Sequence, residues 1–192
     1  MSLVSRLAGV VERLRAYAHH RDPSTAAVNV IALVVGCNGP FYPLYIVAMF
    51  GAAGLPSFLT CVSSPCFLAI PWLARRYPVA GRAALPVIGT LHTVWCTKVL
   101  GVGSGVELFF LPCIMIAALL FWPQRKWPAF FLMGLSIVPM LAPGSFYGAS
   151  ILKLAAEDAA RLASLNLISV ALLIGFIALQ FAGALSRVER SD

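Results

Sequence analysis

Apolar residues dominate six stretches of the chain, roughly 25–50, 54–74, 82–101, 104–122, 128–147 and 160–186, and short polar segments separate them. A helix needs about 20 mostly apolar residues to cross a bilayer. The pattern therefore predicts an all-α polytopic membrane protein with six transmembrane helices in one bundle. Residues 2–21 follow a different rhythm: Leu3, Leu7, Val10, Val11, Leu14 and Tyr17 recur at helical spacing, with Arg6, Arg13 and Arg15 between them. This is the pattern of an amphipathic helix on the inner leaflet, its arginines drawn to anionic headgroups; a solvated juxtamembrane helix is the alternative. Asp22-Pro23-Ser24-Thr25 supplies a break and a helix cap. The chain so divides into a cytoplasmic amphipathic helix (1–22), a transmembrane domain (23–187) and a cytoplasmic tail (188–192).

Polar positions inside the apolar stretches mark where these helices do more than anchor. The first holds Asn29, Cys37, Asn38, Gly39, Pro40, Tyr42, Pro43 and Tyr45. Pro40 and Pro43 cannot donate, so a kink is expected, with carbonyls freed near Gly36 and Gly39; in membranes such groups are commonly satisfied by neighbouring helices. Pro56, Pro65 and Pro71 interrupt the second stretch. In the third, Thr90, Thr93 and Thr97 share one stripe, and His92 and Cys96, at i and i+4, share another. The connection after Pro143, with Lys153, Glu157, Asp158 and Arg161 at roughly helical intervals, is expected to extend the sixth helix outward. That helix alone lacks proline. Its small residues Ala171, Gly175, Ala178, Ala182 and Gly183 permit close helix–helix approach, and Asn166 and Gln180 add hydrogen bonds across such a contact.

Between the third and fourth stretches, Lys98 and Glu107 flank Gly101, Gly103 and Gly105. If the chain reverses at the glycines, ammonium and carboxylate return to similar depth and can pair. An ionisable group in or near the bilayer is costly unless paired or wet, which makes Glu107 a functional candidate. A structural clamp on a helical hairpin is the equal alternative.

Composition narrows the class. Of 192 residues, 60% are hydrophobic and 11% charged, too little polar surface for a soluble domain. The net charge of +7 does not point to nucleic acid, because the basic residues form no block and no basic–aromatic interleaving. Eleven of them (Arg6, Arg13, Arg15, Arg21, Arg75, Arg76, Arg82, Arg125, Lys126, Arg187 and Arg190) fall on one side of the expected topology, and Lys98, Lys153 and Arg161 on the other. The positive-inside rule then places both termini in the cytoplasm, as in a multi-pass protein of a bacterial-type inner membrane. The five cysteines, Cys37, Cys61, Cys66, Cys96 and Cys113, all fall in apolar stretches and read as buried thiols rather than disulfides. No removable signal peptide is expected.

Other chemistries find less support. Gly103-Ser104-Gly105 invites comparison with rhomboid proteases, but Val102 stands where that motif has glycine, and no histidine follows His92, so no Ser–His pair forms in the rhomboid order. His92 and Cys96, with Cys66 or Cys113 from neighbouring helices, are candidate ligands for Cu(I) or Zn, although no metal is expected. Haem held by two histidines fails because His19 and His20 precede the first stretch. No repeat relates residues 25–101 to 104–186, so transport lacks specific support.

Lys98 to Arg125, with Ser104-Gly105-Val106-Glu107-Leu108-Phe109-Phe110-Leu111 at its centre, resembles the six-transmembrane amino-terminal module of membrane-bound class III adenylate cyclases, whose relatives precede histidine kinases and diguanylate cyclases. The family pattern before the fourth helix is Asp/Ser-Gly-x-His/Gln/Glu-x-Phe-Phe-Leu, and the likeness extends over residues 25–187. It implies a receptor without catalytic activity or cofactor, compatible with bound lipid, that homodimerises and signals through the sixth helix to a cytoplasmic output domain or protein. No cyclase, kinase or coiled-coil sequence follows Asp192, so the expectation is an excised sensor or a stand-alone relative. A lipophilic or small ligand is expected near Asn38, Tyr42, His92, Cys96, Lys98 and Glu107, with Ala171, Gly175, Ala178 and Ala182 on the dimer or signal helix. A small transporter or channel gated by Lys98 and Glu107, and an intramembrane metal or redox protein, are the alternatives.

Overall fold

A computed structural model describes residues 3–121 and 125–188, and every regular element among them is helical. Helix α1 (Leu3–Ala18) precedes α2 (Pro23–Asn38). The start of α2 is set by Asp22, whose carboxylate accepts from the Thr25 backbone N–H at 2.8 Å and from the Thr25 hydroxyl. Pro23 sits in the first turn, where its missing N–H goes unused. At Gly39-Pro40 the helix breaks and resumes as α3 (Phe41–Phe50). Pro43 cannot donate to the Gly39 carbonyl, which takes the Cys61 thiol at 3.7 Å instead.

Gly51 then reverses the chain, and Gly51–Ser63 returns along α3 as a 3₁₀ helix that continues into α4 (Ser64–Arg76), packed on α2. Thirteen residues are long for this geometry, which seldom exceeds one turn. Pro56 inside it removes a donor that an α-helix would use. Tyr77 alone separates α4 from α5 (Pro78–Leu100). So tight a corner requires glycine at 81, since an added Cβ would stand 2.5 Å from the Ala74 Cα. A 3₁₀ turn (Val106–Phe109) leads into α6 (Phe110–Phe121), which packs on α7 (Lys126–Met140); the single turn α8 (Gly144–Tyr147) and the long α9 (Ala156–Val188) complete the chain.

Three helical stretches are long and apolar enough to cross a membrane: Pro23–Arg76, which doubles back on itself, Pro78–Leu100 and Ala156–Ser186. The fourth and fifth apolar stretches form helices shorter than their sequence suggests. The glycine turn delays α6 until Phe110, and α7 ends at Met140, just after Pro139 and shortly before Pro143. The expected outward extension of α9 starts only at Ala156. Lys153 lies before it, where Ile151 and Leu152 donate to the Lys98 and Val99 carbonyls at 3.3 and 2.8 Å, and only Glu157 and Arg161 meet at helical spacing, at 2.6 Å.

Two apolar cores stack along the helices. One gathers Val28, Ile31, Phe67, Ile70, Leu85, Ile116, Phe121, Leu132, Ile177 and Phe181; the other gathers Ile46, Cys96, Val99, Leu100, Val106, Leu152 and Leu162. Residues 122–124, expected as a short inner loop, and 189–192 lie outside the described residues, as do the side chains of Leu3, Arg6, Leu7 and Arg187.

Candidate functional site

Five helices converge on an apolar cavity of about 50 Å³. Ile31 and Val35 of α2, Phe67 of α4, His92 and Thr93 of α5, Cys113 and Ile116 of α6, and Leu173 and Ile177 of α9 all face it. His92 brings the only imidazole, but its nitrogens are already engaged: Nδ1 is hydrogen bonded to the Ser63 hydroxyl, and the Cys96 thiol lies 3.5 Å from Nε2. The Phe67 ring meets the imidazole edge-on at 5.6 Å. What remains for an occupant is carbon, sulfur and shape. The Thr stripe of α5 is turned inward and self-satisfied, with Thr93 and Thr97 bonded to the carbonyls one turn back and Thr90 to Ser136 at 2.6 Å.

A second, polar cluster sits toward the other end of α5. Tyr42 Oη donates to Asn166 Oδ1 at 2.9 Å, Asn166 Nδ2 donates to the Ser104 carbonyl at 2.8 Å, and Ser104 Oγ to the Gly101 carbonyl at 2.7 Å. These bonds join α3, the glycine turn and α9. Gly105, at φ +77, lies so close to α9 that a Cβ would stand 2.9 Å from the Ala163 Cα. Lys98 and Glu107 flank this cluster without pairing. Lys98 Nζ donates to the Ala149 carbonyl at 2.7 Å, whereas Glu107 Oε1 accepts from the Gly103 N–H at 3.2 Å and Oε2 is buried without a hydrogen-bond partner. The pairing expected from their spacing fails because the 148–155 segment folds over the end of α5 and takes the ammonium.

The sequence-predicted residues thus divide. His92 faces the cavity and touches Cys96; Tyr42, Lys98 and Glu107 belong to the polar end; Asn38, at the end of α2, is exposed. Cys113 shares the cavity with His92, yet among the described residues no three of His, Cys, Asp or Glu gather closely enough to hold a metal ion. Cys96 and Cys113 are buried thiols as expected, but Cys37 and Cys66 lie on the outer surface. On α9 the stripe Ala171, Gly175, Ala178 and Ala182 faces outward, opposite the buried Leu162, Asn166, Val170, Ile177, Phe181 and Ala184. A Cβ added at Gly175 would meet nothing within 4 Å. Ser63, the partner of His92, escaped the sequence reading: it lies 29 residues away, beyond any helical spacing.

No protein-family model matches the chain, and neither a curated protein nor a solved structure does.

Proposed function

We propose that the chain is a membrane-embedded sensor of six spans with both termini in the cytoplasm, in a bacterial-type inner membrane, that binds a lipophilic ligand and regulates a cytoplasmic output such as an adenylate cyclase through α9. The observation that carries this reading is the composition of the cavity wall: Leu173 and Ile177 of α9 line it together with α2, α4, α5 and α6, so an occupant touches the helix that leads to the carboxyl end. Runs 25–50, 82–101, 104–122 and 160–186 each contribute to both stacked cores, as crossings of one bundle would. The outward stripe of small residues on α9 suits a homodimer contact. Signalling requires that the ligand bind two packings of α9 with different affinity.

The test joins the full chain to the catalytic domain of a class III adenylate cyclase. Leu173→Phe, which fills the cavity, is expected to change cyclic AMP output severalfold and to remove any lipid that native mass spectrometry finds on the parent protein. Unchanged output with unchanged lipid retention would refute the reading.

Transport is the second reading, favoured by the unpartnered Glu107 Oε2. Loss of flux in proteoliposomes on Glu107→Gln, without altered output from the fused cyclase, would establish it instead.

A further inference from the structure

Helix α1 is held at its carboxyl end, and ahead of that end residues 10–16 are all exposed. A helix leaves its last carbonyls unpaired, and here other helices supply the donors. Arg75 Nη2 donates to the Tyr17 and Ala16 carbonyls at 2.9 and 3.4 Å, and Asn29 Nδ2 to the Ala18 carbonyl at 3.0 Å. Tyr17 Oη donates to the Leu68 carbonyl at 3.0 Å, and the Arg75 guanidinium lies 4.9 Å over the Tyr17 ring. These contacts set the direction in which α1 leaves the molecule. Toward its other end, Val10, Val11 and Leu14 are exposed, with Val10 at 53%.

The exposed residues are not scattered. At roughly 100° per residue, Val10, Val11, Leu14, Tyr17 and Ala18 share one sector of the helix; Arg13 borders it on one side and Arg15 on the other, and Glu12 falls on the opposite face. Tyr17 and Ala18, the part of that sector that touches α2 and α4, show which way it is turned. Arginines at both edges of an apolar sector lay their aliphatic stems along it and carry the guanidinium groups to the level of headgroups. The surroundings carry the same sign. Arg21, Arg75 and Arg76 are exposed close to the anchored end, whereas Asp22 is taken up by Arg82 at 3.7 Å. Exposed Trp72 and Tyr77 accompany them, as aromatic residues do at a membrane interface.

We infer that α1 is a lipid-binding arm that lies in the plane of the bilayer surface, buries Val10, Val11 and Leu14 among the acyl chains, and holds anionic phosphate headgroups with Arg13 and Arg15. The inference rests on the membrane reading of the chain but not on the sensor reading. Its occupant is the anionic leaflet rather than a protein groove, because the arginines border both edges of the apolar sector, where headgroups on either side are within reach.

Hydrogen–deuterium exchange of the full chain in lipid nanodiscs tests it. Amides of residues 8–16 are expected to exchange several times more slowly when phosphatidylglycerol is added to phosphatidylcholine, and the added protection should fall by about fivefold for each arginine replaced in Arg13→Gln and Arg15→Gln. Raising the salt should also weaken it, because headgroup attraction is screened. Exchange in α5 and α9 serves as the control for folding and should stay unchanged in the variants. Equal protection in the two lipid mixtures, or protection indifferent to both arginine replacements, would overturn the inference. So would full protection in detergent without lipid, which would assign the face to a second copy or another protein.

Discussion

Asn166 was legible in the sequence as a polar residue inside a long apolar helix, and it is buried. Its two partners were not legible, because Tyr42 and Ser104 stand 124 and 62 residues away. Asn166→Leu keeps the branched shape but strands the Tyr42 hydroxyl and the Ser104 carbonyl. The loss expected is about 1–2 kcal/mol, read as a lower thermal midpoint in detergent. Gly105→Ala should cost more than most surface changes, roughly 2–4 kcal/mol, because a positive φ and a close contact with α9 are violated together. At Asp22, burial pushes the carboxyl up, but the Thr25 hydroxyl and N–H and the Arg82 charge outweigh it and hold the pKa below the ordinary 3.8. A lowered carboxylate pKa stabilises fully above the unfolded value and loses that contribution as pH falls through the folded one. Acidification from about pH 5 to about pH 3 should therefore lower the midpoint, and Asp22→Asn should remove part of that slope while keeping the helix capped, because asparagine caps about as well as aspartate.

At the scale of elements, the apolar runs located the long helices, but their breaks and edges were decided by contacts that runs do not record, and the first run divides into α2 and α3 at Gly39-Pro40. The fourth run begins in sequence at Ser104 yet coils as α6 only from Phe110, because Ser104 and Gly105 are spent on the contact with α9. The 3₁₀ geometry of Gly51–Ser63 was equally hidden, since its apolar content fits an α-helix as well. On α9 the two faces separate by 3.6-residue periodicity, and the small residues fall on the outward one. Gly175→Leu therefore tests the proposed homodimer without disturbing the fold: the thermal midpoint of the monomer should stay within a degree or two, because nothing stands within 4 Å of an added Cβ, while native mass spectrometry should show any dimer of the parent protein weakened. A dimer that survives intact would move the contact to another helix.

For the whole molecule, a belt of large apolar side chains stays uncovered on several helices, among them Val62, Phe131, Val138, Leu172 and Leu179, each near 70% exposed. A soluble monomer rarely exposes so many large apolar side chains. Alkaline carbonate washing should therefore leave the protein in the membrane fraction, and only detergent should release it. The all-helical class, the rough placement of the long apolar helices and the uneven spread of basic residues were determined by the sequence itself, because the preference of a run for hydrocarbon is a sum over neighbouring residues. The site was decided by tertiary structure. Ser63 meets His92, Lys98 turns to Ala149 rather than Glu107, and Leu173 and Ile177 close the cavity, because each of these depends on how helices distant in the chain settle against one another, and the energy of such contacts belongs to pairs that no local pattern contains.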